Sequence, residues 1–271
     1  MIVERRWRIG LRTVALAYFL ALLLLPVGLV FYRTFEHGVG YVIDSVTTPA
    51  AISAFWLTIE VTAIAVPLNA VVGILAAIAL ARSDFRGKAL LNGLLDLPFA
   101  ISPVVIGLSL VLLYGRTGWL GPWLADNGIR IIFSVPGIVL ATIFVSLPFV
   151  VREVTPVLRE IGDEQEQAAA TLGAGAWTTF RRITFPAIRW GLAYGIVLSV
   201  ARAVGEFGAV SVVSGRVAGE TMTLTLLVQQ RFENFELAGA YAASALLAMI
   251  ALLTLVAMTR INPRREEEHE T

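Results

Sequence analysis

Charged residues in this chain are confined to short intervals between long apolar runs. Between Arg12 and Arg33 lie 20 uncharged residues, between Glu60 and Arg82 21, and between Asp96 and Arg116 19. Arg130 to Arg152 encloses 21 more, and Glu236 to Arg260 encloses 23. A sixth apolar segment, 187–213, is interrupted only by Arg189, Arg202 and Glu206. About 20 apolar residues, at roughly 1.5 Å rise each, cross a bilayer as a helix. In hydrocarbon the backbone must pair its own polar groups, so such runs fold as helices. The pattern predicts an all-α polytopic membrane protein, one domain over 1–271. Its six spans fall at about 13–32, 55–81, 94–114, 132–151, 187–210 and 238–259, and a charged tail occupies 263–271.

Composition sharpens this reading. The chain is 57% hydrophobic and 15% charged, too apolar for an ordinary soluble domain. The first apolar run is too long for a cleaved signal peptide. With no cysteine, the chain has no disulfide, thiol or zinc-thiolate chemistry. Lys and Arg cluster in the N-terminus, in 82–93, in 152–189 and in the C-terminus; far fewer lie in the three remaining loops. Basic loops stay on the cytoplasmic side, so both termini and the long 152–186 loop are expected there.

That loop is patterned. Residues 163–186 read DEQEQAAATLGAGAWTTFRRITFP. Asp163 stands at a helix start with Glu166 three residues on, the spacing of a capping box. Asp163, Glu164 and Glu166 favour the positive end of the helix dipole. Ala168, Ala169 and Ala170 are strong helix formers, and Gly173 suits a left-handed helix end. A second short element, 176–183, carries Trp177, Phe180, Arg181 and Arg182. Pro186 suits the first turn of the next span. From pattern alone, a helix lying on lipid headgroups and a docking surface for a partner are equally good readings.

Several chemistries are excluded. A P-loop needs Gly, four residues, then Gly-Lys-Ser/Thr. The one lysine, Lys88, follows Gly87 but precedes Ala89, with Arg82 where the first Gly would stand. The two histidines, His37 and His269, lie outside the spans, which argues against a metal or Ser-His centre in the membrane. The chain is therefore not an enzyme by itself.

Ionisable groups within spans cost about 2.5–3.5 kcal/mol each at the bilayer centre. Arg202 and Glu206, spaced i, i+4, read as a pair within the fifth helix. They are either a structural pair or part of an anion route. Asp96 and Pro103 sit at the start of the third span, where Pro98 and Pro103 suggest a kink, equally well beside a pathway or filled by neighbouring helices, with Asp96 lining the pathway or else reaching the interface or capping the helix. Pro67 and Pro148 mark further bends. Met222–Phe232 is amphipathic and too short to span, and reads equally as an outer helix, a lid or a contact for an external delivery protein.

The segment resembles the "EAA loop" of ABC importer permeases: Glu-Ala-Ala, three residues, Gly, nine residues, Ile-x-Leu-Pro. Here stand Gln167-Ala168-Ala169, then Gly173, then Ile183, Thr184, Phe185 and Pro186, with Gln167 for Glu and Phe185 for Leu. The resemblance makes this a coupling helix seated in a separate ATPase subunit, with Glu166 or Glu164 standing in for the missing charge. DLPFAISPVVIG at 96–107, VPGIVLATIFVSLPFVVREV at 135–154 and RAVGEFGAVSVVSGR at 202–216 are similar to the W-type membrane subunit of bacterial sulfate/thiosulfate importers. The resemblance implies the type I importer permease fold, with a core of spans two to six at about 51–260 and the first span peripheral. It further implies a heterodimer with a T-type permease, an ATPase subunit dimer that binds the ATP, and a periplasmic sulfate-binding protein. The chain itself would hold no cofactor and no metal, contact sulfate or thiosulfate and the lipid bilayer, and bind no nucleic acid. It would reside in the bacterial inner membrane and work by alternating access. Molybdate or tungstate is the rival substrate. An ATPase-independent channel or secondary transporter, or a scaffold, is the rival class.

Overall fold

A computed structural model describes residues 5–261. The tail 263–271, with His269, lies outside the described residues. Among those residues every regular element is helical. Helices α1 (Arg5–Phe19) and α2 (Leu25–Phe35) are joined by a π-helical turn, Leu20–Leu24. Pro26 follows that turn; its ring crowds the carbonyl one turn back and it offers no N–H, so a widened turn accommodates it. This first span buries none of its apolar window. It touches α14 where Thr34 Oγ1 donates to the Tyr241 carbonyl at 3.0 Å.

After the short α3 (Val39–Val46), α4 runs from Pro49 to Arg82, 34 residues without interruption at Pro67. At 1.5 Å per residue this is about 51 Å, well beyond the roughly 30 Å of hydrocarbon, so its end projects from the bilayer. Thr48 starts α4, its hydroxyl accepting the Ala51 N–H at 3.2 Å.

The third span is broken. Helices α5 (Lys88–Ala100) and α6 (Pro103–Tyr114) meet at 114°. A residue before proline is pushed out of the helical region. Ser102 and Ile101 are accordingly extended, with ψ 134° and 138°. The expected kink is thus a complete break. Helix α7 (Gly121–Asp126) precedes α8 (Val135–Ile161), which continues past Pro148 and Pro156. The fourth span therefore extends to Ile161, not 151, and takes up the first third of the expected loop.

Next come α9 (Glu164–Thr171), α10 (Ala176–Thr179), a second π-helical turn (Phe180–Thr184) and α11 (Phe185–Val204). The separate element expected at 176–183 is instead the beginning of the fifth span, continuous over Ala176–Val204. Pro186 again follows the widened turn, inside a helix rather than at its start. Helices α12 (Val210–Val213), α13 (Leu224–Glu233) and α14 (Leu237–Ile261) complete the chain. Among the described residues five helices are long and apolar enough to cross a membrane, or six with the broken pair counted as one.

Helices α4, α8 and α11 form the centre. Glycines set their spacing: a Cβ on Gly73 would stand 2.7 Å from Val150 Cγ1, and one on Gly195 3.0 Å from Val150 Cα. Close packing of small residues is what holds helices together where lipid is as apolar as leucine. Asn69, fully buried, donates to the Ile143 carbonyl at 3.1 Å and to Ser146 Oγ at 2.8 Å. Ser199 Oγ donates to the Ser146 carbonyl at 3.3 Å, so one polar ladder ties all three helices. A second apolar core, including Val61, Ile106, Ile138, Val210 and Leu224, fills the opposite end.

Candidate coupling and translocation sites

The patterned loop is built as expected at its end and differently at its start. Gly173 is left-handed at φ 82°. Its N–H donates to the Ala170 carbonyl and that of Ala174 to Ala169, both at 3.0 Å, closing the last turn of α9 in a Schellman arrangement. Asp163, however, makes no side-chain cap. The capping box does not form because Glu166 turns inward. Its Oε2 takes Arg82 Nε at 2.9 Å, and its Oε1 takes Thr184 Oγ1 at 2.7 Å.

Arg82 was read from sequence only as the charge that ends a span. It donates Nη1 to the Leu158 carbonyl at 2.6 Å and Nη2 to the Gly162 carbonyl at 2.7 Å. One guanidinium therefore joins the end of α4, the end of α8 and the start of α9. Thr184 adds the π-turn that enters α11. Planar, multi-donor geometry suits arginine to such a junction. Both charged side chains are largely shielded, so removing either partner would leave an uncompensated charge held away from water.

Glu166 is thereby committed within the chain and leaves no free carboxylate at the expected Glu position. Gln167 and Ala168 are exposed, while Ala169 and Ile183 are half-buried. Pro186 is exposed, as are Leu172 and Trp177, at 88% and 71%. Trp177 stacks on Phe180 at 5.7 Å between centroids. The loop thus shows a bare alanine face flanked by two exposed apolar side chains, Leu172 and Trp177. Its stems are fixed to three central helices.

The residues expected along a pathway separate into two places. Helix α11 ends at Val204, with Gly205 at its cap, so the fifth span stops short of 210 and Glu206 lies beyond the helix. The pair therefore spans a helix end instead of lying within a turn. Arg202 Nη2 stands 2.7 Å from Glu206 Oε2, an ion pair without a well-directed hydrogen bond, since Oε2 has no partner by angle. Glu206 Oε1 accepts the Ala209 N–H at 2.8 Å, starting α12. Its carbonyl takes Thr225 Oγ1 at 2.9 Å, holding α13. Glu206 is buried, whereas Arg202 keeps about a third of its side chain exposed. Pro103 joins this place: a Cβ on Gly208 would meet Pro103 Cβ at 2.9 Å, and one on Gly107 would meet Val212 Cβ at 2.8 Å. The breaks in the third and fifth spans are packed against each other.

Asp96 lies elsewhere. It pairs with Arg152 on α8, Nε to Oδ1 at 3.0 Å, and Phe99 meets Phe149 edge-on at 5.4 Å. Arg152 was counted from sequence only as a loop charge.

Residues 69–267 match the family described as binding-protein-dependent transport system inner membrane component. The "Sulfate transport system permease protein CysW" of Synechocystis sp. is 52% identical over 256 residues, covering 94% of this chain and 92% of that one. Its namesake in Escherichia coli K12 is 46% identical, covering 92% and 86%. A "Probable sulfate transport system permease protein cysT" from Nephroselmis olivacea is 38% identical, covering 91% and 87%. Among solved structures, a chain of a bacterial alginate ABC transporter, in complex with a periplasmic protein carrying an alginate pentasaccharide, superposes with TM-score 0.79. It covers 97% of this chain and 96% of that one at 18% identity, a likeness of fold alone.

Proposed function

We propose that this chain, which belongs to the family of binding-protein-dependent transport system inner membrane components, is the membrane-spanning permease of an ATP-driven sulfate importer. Identity of 46–52% to sulfate permeases over more than nine-tenths of the chain supports the substrate. The lower identity to T-type permeases supports the W-type role, with a T-type chain as the other half of the membrane pore.

The Arg82–Glu166–Thr184 junction carries the mechanism. A short helix can pass on a push only if its stems do not give. Here α9 is welded to α4, α8 and α11 by charge-assisted bonds. A cytoplasmic ATPase subunit receives α9, Gln167 and Ala168 entering its groove with Leu172 and Trp177 on either side. ATP closure of two such subunits draws the coupling helices together. The central helices then swing, and access changes from the cytoplasmic to the periplasmic side. A sulfate-binding protein delivers the anion there. At the junction of broken helices, the exposed part of Arg202 offers donors to the dianion while Glu206 fixes its position. The chain performs no covalent chemistry.

The test is complementation. A bacterium lacking its own W-type subunit, but retaining the other components, receives this gene, and uptake of radiolabelled sulfate is followed. Energy-dependent uptake is expected. Membrane insertion and co-purification of the ATPase without sulfate uptake would overturn the substrate.

A further inference from the structure

Between α5 and α8 lies a cleft of about 80 Å³, far from the Arg202–Glu206 junction in its contacts and lined by Asn92, Asp96, Arg152, Thr155 and Arg159. A single water needs roughly 10–15 Å³ on this measure, so the cleft has room for a larger polar guest. Arg152, Thr155 and Arg159 follow i, i+3, i+7 spacing and form one stripe on α8. Asn92 and Asp96 face them from α5 at i, i+4. Thr155 is more than nine-tenths buried, and its hydroxyl has no hydrogen-bond partner. A buried hydroxyl without a partner is costly and rare. Among the described residues, Arg159 has no ion-pair partner. Arg152 has one, Asp96, and Asn92 Nδ2 donates to the other Asp96 oxygen at 3.4 Å.

We propose that this cleft is an exit site for sulfate, in which Arg152 exchanges Asp96 for the anion before release. It rests on the reading above for the substrate and for the cytoplasmic side. The chemistry of the lining selects an oxyanion. Arg152, Arg159, Thr155 and Asn92 all donate, and a tetrahedral oxyanion accepts in several directions at once. Sulfate carries no proton to offer a carboxylate, so it and Asp96 repel each other when both are set against Arg152. Entry displaces Asp96; its return expels the anion, which keeps affinity low, as an exit requires. The exchange also moves a helix. Helix α5 buries no residue of its own and is hinged at Ile101–Ser102. Asp96–Arg152 and Phe99–Phe149 are its side-chain ties to α8. Occupancy of the site thus loosens α5 from α8.

The experiment uses the complex isolated from membranes through a tag on this chain, in lipid nanodiscs, without ATP or binding protein. Equilibrium binding of ³⁵S-sulfate is measured. Asp96→Asn removes the competing carboxylate and is expected to bind about tenfold more tightly than the parent. Thr155→Val and Arg159→Gln are each expected to bind about tenfold more weakly. Unchanged affinity in all three variants, or no sulfate binding in the parent and Asp96→Asn, would overturn the proposal. A lipid phosphate could present the same chemistry. Equal sulfate binding in zwitterionic and anionic nanodiscs keeps the site with the free ion, and its loss in anionic lipid would overturn that assignment. ATP-driven uptake by the parent complex is measured in parallel. Uptake of sulfate with no effect at the cleft sinks the exit site alone, whereas no sulfate uptake sinks the substrate reading beneath it.

Discussion

Arg82 makes four hydrogen bonds from one guanidinium, two of them to backbone carbonyls at the ends of α8 and its following turn. Arg82→Ala removes them together and leaves Glu166 shielded beside Thr184 alone. Hydrogen bonds to charged groups are worth about 1.5–3 kcal/mol each. The loss is concentrated where α9 is anchored. ATP-dependent uptake should fall more than tenfold in vesicles, with the chain's level in the membrane within about twofold of the parent on a blot. Arg82→Lys should not rescue it, because a single ammonium cannot reach three acceptors in the plane. Arg202 and Glu206 test a different question. Arg202→Ala leaves a buried carboxylate with one amide partner and should destabilise by about 3–5 kcal/mol. The double variant Arg202→Met, Glu206→Gln should recover most of that stability in a detergent melt. If it also recovers uptake, the pair is purely structural; loss of uptake at restored stability is expected for a pathway residue.

At the scale of elements, the long apolar runs made the spans plain, since hydrocarbon leaves the backbone no alternative to a helix. Gly173 was legible for a local reason: the residues around it want a helix and nothing but glycine suits its φ of 82°. Gly173→Pro cannot adopt that φ and loses the N–H given to Ala170, so uptake should vanish while the chain remains in the membrane. Gly173→Ala, strained by about 1 kcal/mol, should retain partial uptake. The start of α9 was misread because a capping box and an ion pair compete for one carboxylate. Glu166 chose Arg82, 84 residues away, a partner no local spacing reveals. The full break inside the third span and the end of the fifth are hidden from the pattern for a related reason. Hydropathy does not change where a helix breaks, and only Pro103 and Gly205 marked those points. Which helices Gly73 and Gly195 bring together depends on the tertiary fold and has no signature in local spacing. Gly73→Ala would drive a methyl into Val150 and should lower the melting temperature of the complex measurably, by about 1–3 kcal/mol in stability.

For the whole molecule, the unequal distribution of basic residues predicts cytoplasmic termini, and the absence of cysteine makes that orientation easy to test. Trp177, at the start of the fifth span's helix, and Trp119, between the third and fourth spans, are 71% and 90% exposed. An impermeant thiol reagent should label Trp119→Cys in intact cells and Trp177→Cys only in inverted vesicles; the reverse would invert the topology. Orientation decides which end meets the ATPase, and therefore whether the Arg82 junction can couple anything. The most direct test is sulfate uptake into proteoliposomes holding the tagged complex, with its binding protein supplied on the periplasmic face and ATP on the other. Uptake that requires ATP and is lost on Arg82→Ala, with the ATPase still bound, is the expected result. Sulfate flux that proceeds equally without ATP, or that ignores Arg82→Ala, would contradict an importer driven through this loop.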